Sequence, residues 1–395
     1  MGYRRLGLRG LAALGLTAQL AACGGTPRTP YTVEQAALAS LPGIPGARVY
    51  ADASVETIAT VAANPQRRPG GFTYLALSGG GGDGAYGAGV LNGWTASGTR
   101  PEFTLVSGVS TGALIAPFAF LGSGYDSYLT EFYTSGVAAT LVQSPNIVNV
   151  LFGSGLFGDE RLRSLVGRYV TPDLLRAVAD EHAKGRRLLV VTTNLDSQRA
   201  VIWNMGAIAA SGAPNAPDLF RDVLAASASV PAVFPPQLIN VTDGTARFQE
   251  MHADGSVVTP VFTLPQTLLL RDRRLRTGGK ANIYVIINGR LEPDFEVTKD
   301  NTLAIAERSF STASRARSRS ALATTYALAR DNGIGFNLTY IDEAAPKAIP
   351  TKGFDTGYMR ALYEDGFAKA RTGAFWNHTV PAAPVVKRAY GEAVN

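Results

Sequence analysis

The sequence contains a single cysteine, Cys23, and only three histidines, His182, His252 and His378, among 395 residues. One cysteine excludes an internal disulfide and any metal site built from several cysteines. The three histidines are widely separated, and no HExxH motif is present. The sequence therefore implies neither a bound metal ion nor an organic cofactor.

Charged residues are also scarce: they make up 17% of the chain, whereas 46% of it is hydrophobic. This composition permits a large buried core and excludes a disordered chain. Without the three arginines of the first 22 residues, 34 basic residues face 31 acidic ones. Such a balance does not indicate a nucleic-acid partner. We interpret the basic stretches Arg271–Lys280 and Arg315–Ser320 as solvated faces, with contact to anionic lipid head groups as the alternative. Nothing in the sequence indicates the oligomeric state.

The N-terminal apolar run, Leu11–Ala22, is too short to span a bilayer. It follows three arginines, which predicts a secretory signal at residues 1–22. The residues Leu20-Ala21-Ala22-Cys23 resemble the lipobox of bacterial lipoproteins, which implies cleavage before Cys23 and lipidation of its thiol. Gly24 in the next position resembles outer-membrane lipoproteins. We therefore expect a lipid-anchored envelope protein, held in the outer membrane and facing the periplasm.

Residues 23–70 are interpreted as a lipid tether and N-terminal extension, with a short helix at Thr32–Leu41. From residue 71 to 395 we expect one α/β domain, because short apolar runs alternate with helix-length segments. The predicted strands are Phe72–Leu77, Phe103–Gly108, Arg187–Asn194 and Ile283–Asn288. Apolar runs of this kind are typical of a parallel sheet covered by helices on both faces.

A candidate nucleophile, Ser110, follows the second of these strands within Gly108-Val109-Ser110-Thr111-Gly112. In a Gly-X-Ser-X-Gly pentapeptide the serine occupies a strained strand-to-helix turn, and the glycines remove side chains that would clash there. A helix predicted at Ala113–Leu121 would direct its positive end at the serine. The alternative is an ordinary tight turn, because glycine and serine are common in turns.

A nucleophilic serine needs a base, for which the residues leave several candidates. His378, near the C-terminus, would complete the order Ser, Asp, His of an ordinary hydrolase triad. His252 stands two residues before Asp254, and the two share a face if their segment is a strand. His182 lies in a polar run and is interpreted as a surface residue.

A glycine-rich loop, LSGGGGDGAYGAGVL, follows the first predicted strand. Its Gly82-X-Gly84-X-X-Gly87 formally matches a dinucleotide-binding motif. That function requires an acidic residue at the end of the second strand, where this chain has SGVSTG, and the loop lacks the lysine of a P-loop. Nucleotide binding is therefore kept only as an alternative.

Four segments together resemble the patatin-like phospholipases: the glycine-rich loop, GVSTG, AASASVPAVFPP (Ala225–Pro236) and ADGSVVTP (Ala253–Pro260). They occur in the family's order within about residues 72–288. The resemblance implies a three-layer α/β/α fold with a mostly parallel central sheet, and a Ser-Asp dyad that cleaves carboxylic esters of membrane lipids. It implies Ser110 as the nucleophile and Asp254 as the general base. It also implies an oxyanion hole formed by the amides of Gly79, Gly80, Gly81 and Gly82.

Two positions depart from the family. In the Asp-Gly-X segment the third residue is usually glycine, whereas here it is Ser256. The family's glycine-rich loop commonly reads Asp-Gly-Gly-Gly-X-Arg/Lys-Gly, whereas here Asp83 stands at the cation's position. If the cation normally assists an anionic phosphate, its loss shifts preference toward neutral esters; if not, Asp83 pairs with a local arginine. A non-catalytic envelope protein that retains the fold is a further alternative.

Overall fold

A computed structural model describes residues 28–62, 71–142, 156–263, 280–293, 295–347 and 354–381. The predicted signal at 1–22, Cys23 and residues 271–279 of the first basic stretch lie outside them. Within the described residues, no helix is both long enough and apolar enough to cross a membrane.

The helices and strands of the described residues alternate through most of the chain. The α-helices are α1 (Val33–Leu38), α2 (Val55–Ala62), α3 (Gly84–Ala96), α4 (Thr111–Leu121), α5 (Asp126–Thr134), α6 (Asp159–Tyr169), α7 (Pro172–Ala183), α8 (Met205–Ala210), α9 (Ala216–Ser227), α10 (Thr302–Asp331) and α11 (Thr356–Arg371). The strands are β1 (Arg48–Tyr50), β2 (Phe72–Leu77), β3 (Leu105–Val109), β4 (Arg187–Asn194), β5 (Arg199–Asn204), β6 (Gln237–Thr242), β7 (Arg247–Asp254), β8 (Ala281–Ile287) and β9 (Gly335–Tyr340).

The described strands form one mixed sheet in the order β1-β5-β4-β3-β2-β8-β9, and β7 pairs with both β4 and β6. The central pairs β4-β3, β3-β2, β2-β8 and β8-β9 are parallel. The pairs that involve β5 or β7 are antiparallel. This arrangement confirms the predicted mostly parallel α/β sheet. The predicted strands at Phe72–Leu77 and Arg187–Asn194 match β2 and β4 at both ends.

The sheet separates two apolar cores, because successive side chains along a strand point to opposite faces. In β2, Leu75 and Leu77 face the core formed with helices α3 to α9 and α11, whereas Tyr74 and Ala76 face the core beneath α2 and α10. Every residue of β4 is buried. Burial on both faces explains why the central strands are continuous apolar runs, and it confirms the predicted three-layer α/β/α fold.

The sheet begins earlier in the chain than the sequence indicates. The domain was expected to start at residue 71, yet β1 at Arg48–Tyr50 pairs with β5 and forms an edge of the main sheet. This part of the expected extension therefore belongs to the fold. A three-residue strand carries too little periodicity to be recognised in a sequence.

Helices α3 and α11 pack at close range because α3 is rich in glycine. A Cβ on Gly89 would lie 2.0 Å from the carbonyl oxygen of Tyr363, and one on Gly93 would lie 2.3 Å from that of Phe367. Gly366 allows the same close approach from the side of α11. This contact brings the start of α11 to the loop that precedes α3.

Candidate active site

Ser110 lies at the turn between β3 and α4, at the carboxyl edge of the parallel strands. Its backbone has φ 55° and ψ −125°, a combination that is strained for a residue with a side chain. A Cβ on Gly108 would lie 2.3 Å from the carbonyl oxygen of Gly112, and one on Gly112 would lie 2.5 Å from that of Leu77. Both glycines of the pentapeptide are thus required by close backbone approach.

Asp254 is the last residue of β7, and the sheet brings it to the same place as Ser110. Strand β3 pairs with β4 as far as Val109 opposite Val191. Strand β7 then arrives from the other direction along the same edge of β4, and Asp254 lies opposite Thr192. A Cβ on Gly255 would lie 2.9 Å from Val109 Cγ1. The ends of β3 and β7 therefore face each other, one carrying Ser110 and the other Asp254.

The carboxyl group of Asp254 is fully buried. Its Oδ1 accepts a 2.7 Å hydrogen bond from the amide of Ser256, whereas Oδ2 has no hydrogen-bond partner among the described residues. Burial raises the pKa of Asp254 to about 6, although the nearby Ser110 hydroxyl and the Ser256 amide favour the charged form and oppose the rise. A carboxylate with a raised pKa and one free oxygen is suited to accept a proton near neutral pH.

The segment after α9 holds the backbone of both residues. The amide of Ser110 donates a 3.0 Å hydrogen bond to Ser227 Oγ, which in turn donates to the carbonyl oxygen of Val191 at 2.7 Å. The amide of Asp254 donates to the carbonyl oxygen of Ser229 at 3.0 Å. These residues lie in the segment AASASVPAVFPP, to which the sequence assigned no chemical role.

The glycine-rich loop packs directly against Ser110. A Cβ on Gly79 would lie 3.1 Å from Ser110 Cβ and 2.4 Å from Ser256 Oγ. A Cβ on Gly80 would lie 1.9 Å from the carbonyl oxygen of Asn288, whose side-chain amide donates a 2.8 Å hydrogen bond to the Ser78 carbonyl oxygen. Asn288, directly after β8, thus fixes the loop beside the serine.

The loop amides differ in their availability. The amide of Gly79 donates a 2.9 Å hydrogen bond to the carbonyl oxygen of Pro260, so it is already engaged. This corrects the expectation that Gly79 contributes to an oxyanion hole. The amides of Gly80, Gly81 and Gly82 have no acceptor within the described part of the chain. Only these three remain candidates for binding an oxyanion.

The glycines of the formal GxGxxG motif serve internal packing. A Cβ on Gly84 would lie 2.3 Å from Thr111 Oγ1, and one on Gly87 would lie 2.3 Å from Asn288 Oδ1. Close contacts within the protein therefore account for both glycines without a nucleotide.

Asp83 is partly buried between the glycine-rich loop and α11. Its Oδ1 accepts a 2.8 Å hydrogen bond from the hydroxyl of Tyr358. Burial raises the pKa of Asp83 to about 6, while this hydrogen bond and the positive charge of Arg290 favour ionisation. The partner of Asp83 is thus a tyrosine, where the sequence suggested an arginine; Arg290 itself donates hydrogen bonds to the carbonyl oxygens of Ala345 and Pro346.

His378 and His182 both lie away from Ser110. His378 Nδ1 contacts the carbonyl oxygen of Phe336, near the amino end of β9. Strand β9 is separated from β3 by β8 and β2, a distance of about 14 Å at the usual strand spacing. His182, at the end of α7, contacts Arg187, and its pKa is lowered to about 4 by burial and by that arginine.

His252 and Asp254 are both on β7 with the expected two-residue spacing, but His252 has other partners. Its Nε2 lies 3.1 Å from Glu250 Oε2, and its Nδ1 lies 2.9 Å from Thr192 Oγ1. The Glu250 carboxylate also pairs with Arg48. His252 is therefore part of a buried hydrogen-bond network behind the site, where burial lowers its pKa. Among the described residues, no cluster of His, Cys, Asp and Glu side chains is arranged to hold a metal ion.

An apolar pocket begins one helical turn after Ser110, at Leu114. It lies between α4, α5, α6, α7 and α9, and Tyr133 closes one end through a 2.5 Å hydrogen bond to Thr111. The pocket is lined by Leu114, Pro117, Phe118, Leu129, Phe132, Tyr133, Leu165, Val166, Tyr169, Val170, Leu174 and Leu224. The lining of this pocket is thus almost entirely apolar.

Comparison with known proteins gives one family match: residues 75–265 match the model described as Patatin-like phospholipase. Among solved structures, the chain is similar to VipD from Legionella pneumophila, with a TM-score of 0.34, 12% identity, and coverage of 77% of this chain and 67% of VipD. It is also similar to the type III effector protein ExoU, with a TM-score of 0.27, 12% identity, and coverage of 77% of this chain and 54% of ExoU. No curated protein sequence matches the chain.

Proposed function

We propose that this chain, which carries a patatin-like phospholipase domain at residues 75–265, is a lipid acyl hydrolase that cleaves carboxylic esters with a Ser110-Asp254 dyad. The observation that carries the proposal is the meeting of two strand ends on one edge of β4. One end presents Ser110 in a strained turn, and the other presents Asp254 with a free, buried carboxylate oxygen.

The proposed reaction has two halves. Ser110 Oγ attacks the ester carbonyl carbon while its proton passes to the Asp254 carboxylate. The tetrahedral intermediate then collapses, the ester C–O bond breaks, and the alcohol leaves with that proton. Asp254 next removes a proton from water, whose oxygen attacks the acyl carbon. The bond between that carbon and Ser110 Oγ then breaks, the proton returns from Asp254 to Ser110 Oγ, and the carboxylic acid leaves.

Charge that develops on the carbonyl oxygen requires hydrogen-bond donors. Within the proposal, the amides of Gly80, Gly81 and Gly82 supply them, assisted by the positive end of α4. One such donor is typically worth about 3 to 4 kcal/mol of transition-state stabilisation. The apolar pocket at Leu114 supports an acyl chain as the group transferred to the serine.

We further propose that Asp83 directs the site toward neutral esters. It lies directly after the three candidate donors, where the family resemblance implies a cation. An anionic phosphate at this loop would meet a carboxylate with a pKa of about 6, which is mostly ionised at neutral pH. Repulsion between these charges would favour substrates such as acylglycerols over anionic phospholipids.

The decisive test is hydrolysis of a panel of lipid esters by the wild-type protein, Ser110→Ala and Asp254→Ala, together with labelling by a fluorophosphonate probe. We expect Ser110→Ala to abolish labelling and both variants to lose hydrolysis. His378→Ala is the matched control for a histidine triad, and we expect it to retain activity. A wild-type protein that neither reacts with the probe nor hydrolyses any ester would indicate a non-catalytic protein that retains the fold.

For localisation, we propose that Cys23 is lipidated and anchors the protein in the bacterial envelope, in the outer membrane and facing the periplasm. The lipobox-like Leu20-Ala21-Ala22-Cys23 and the following Gly24 support this proposal. Metabolic labelling with an alkyne fatty acid, followed by membrane fractionation, tests it. Label that persists in Cys23→Ser would contradict it.

A further inference from the structure

The segment that follows β8 leads away from the candidate active site into an unusually exposed region. Leu291 is fully buried, but Phe295 is 92% exposed and Val297 is 81% exposed. Exposed apolar side chains mark an interaction surface when they form a patch, and Phe295 and Val297 are only two positions apart. Because β8 is parallel to β2 and β3, this segment starts from the same edge of the sheet as Ser110.

Helix α10 continues this exposed region. Of the side chains described between Thr302 and Arg317, none is buried, and Ile305 is 47% exposed. The second half of the helix is different: Leu322 and Ala329 are fully buried against the sheet. The first half of α10 is therefore exposed, whereas its second half packs against the sheet.

Arg317 marks the point at which α10 reaches the body of the protein. Its guanidinium donates a 2.6 Å hydrogen bond to the carbonyl oxygen of Val257, in the turn directly after Asp254. From there the helix runs toward the amino edge, where Tyr326 packs against Phe336. The residues that precede Arg317, about 22 Å of helix, consequently extend beyond the carboxyl edge.

The exposed strand-to-helix segment and the projecting half-helix form one unit, which we name the 295–317 projection. Glu296 and Arg308 form an ion pair at 3.8 Å that connects the two parts. The projection carries three acidic residues, Glu296, Asp300 and Glu307, against four basic ones, Lys299, Arg308, Arg315 and Arg317. A net charge of +1 gives little attraction to an anionic surface, whereas the exposed apolar side chains favour an apolar one.

We propose that the 295–317 projection inserts Phe295 and Val297 into the interface of a lipid bilayer, and thereby presents the edge that carries Ser110 to ester lipids. The proposal of a bilayer, as opposed to a protein partner, rests on the proposed lipid-hydrolase function. The near-neutral charge of the projection indicates a zwitterionic or neutral lipid surface. Binding to it would depend on apolar insertion and change little with salt concentration.

The lone cysteine permits a site-specific test. The full chain with Cys23→Ser and Phe295→Cys carries one thiol, to which an environment-sensitive fluorophore is attached. We expect its emission to shift to the blue on addition of phosphatidylcholine vesicles, equally at low and high salt. The matched control is Cys23→Ser with Arg330→Cys, because the Arg330 side chain is 64% exposed at the opposite end of α10; we expect no shift there.

Several outcomes overturn the proposal. One is an unchanged emission from the label at position 295; another is an equal shift from the label at position 330. A blue shift without vesicles that grows with protein concentration would assign the projection to self-association. A shift that needs anionic lipid and vanishes at high salt would replace apolar insertion by electrostatic attraction.

Activity separates this inference from the proposed function. We expect Phe295→Asp with Val297→Asp to reduce hydrolysis of vesicle-borne ester about tenfold or more. Hydrolysis of a soluble monomeric butyrate ester is expected to remain within about twofold, since the projection is not part of the dyad. If neither ester is hydrolysed by the wild-type protein, the proposed function fails, while the fluorescence measurement, repeated with Ser110→Ala, still decides whether the projection inserts.

Discussion

Tyr358 donates a 2.8 Å hydrogen bond to Asp83, and this bond joins the start of α11 to the end of the glycine-rich loop. The carboxylate is therefore built into the packing of the site, through a residue 275 positions later in the chain. A cation at position 83 would lose this partner. Asp83 and Tyr358 therefore form one structural feature. Two separate experiments can detect the role of Asp83 in it.

The first experiment measures substrate preference. Asp83→Arg is expected to raise the ratio of kcat/KM for an anionic phospholipid to that for a neutral acylglycerol, because repulsion becomes attraction. A tenfold change corresponds to about 1.4 kcal/mol, within the range of one charge pair near a protein surface. An unchanged ratio would show that Asp83 serves packing alone.

The second experiment measures stability. Because the folded-state pKa of Asp83 is raised from 3.8 to about 6, folding favours the protonated form, and the associated stability is lost as pH rises through 6. Asp83→Asn keeps an acceptor for Tyr358 and removes the charge. We expect it to unfold like the wild type in urea at pH 4, and to be about 3 kcal/mol more stable at pH 8.

Asp243→Asn is the contrasting control for that measurement. The pKa of Asp243 is lowered by hydrogen bonds from the amides of Ala246 and Thr245, so its charge contributes stability that is present above its unfolded pKa and lost in acid. The pH dependence of its stability change should have the opposite sign. Parallel behaviour of the two variants would contradict the assignment.

The role proposed for Asp254 predicts how catalysis depends on pH. As the proposed general base it must be ionised, and its pKa of about 6 predicts that kcat/KM for a soluble ester rises through pH 6 to a plateau. The rate at pH 5 should be about one tenth of the plateau value. The same profile is expected for His378→Ala; a profile that changes in this variant would implicate the histidine.

Ser227 gives a test of backbone support at the nucleophile. Its hydroxyl accepts a hydrogen bond from the Ser110 amide and donates one to the Val191 carbonyl oxygen. Ser227→Ala therefore leaves both of these buried backbone groups without this partner. We expect kcat to fall about tenfold to a hundredfold and stability to fall by about 1 to 3 kcal/mol. Ser229→Ala is the control: its hydroxyl donates a 2.8 Å hydrogen bond to the carbonyl oxygen of Ala225 and accepts one of 3.5 Å from the side-chain amide of Gln237 on β6.

The apolar pocket predicts a dependence on acyl chain length. Leu165→Trp adds volume inside the pocket, so kcat/KM for a long-chain ester should fall more than that for a butyrate ester. Overpacking costs about 1 to 3 kcal/mol, and the melting temperature is measured alongside to separate this cost from loss of activity. An equal loss for both esters would place the acyl chain elsewhere.

The features predicted well from the sequence are those with local causes. The sequence predicts both ends of β2 and β4, because burial on both faces produces continuous apolar runs. It also predicts the turn at Ser110, because that turn requires glycines at a fixed spacing. The engagement of the Gly79 amide by Pro260 was missed, since that contact joins segments 181 positions apart and leaves no periodic signal.

The sequence by itself determined the fold class and its local motifs: an α/β domain with a strand-to-helix turn at Ser110, a glycine-rich loop and an acid heading the Asp-Gly turn. These are short-range patterns, fixed by backbone sterics and by side-chain periodicity. Only the tertiary structure decided which groups come together. It places the ends of β3 and β7 next to each other along β4, and it brings Tyr358 within hydrogen-bond distance of Asp83. It also places the first half of α10 beyond the edge of the sheet that carries Ser110. Those relationships depend on strand order and helix packing, which join residues that the sequence keeps far apart.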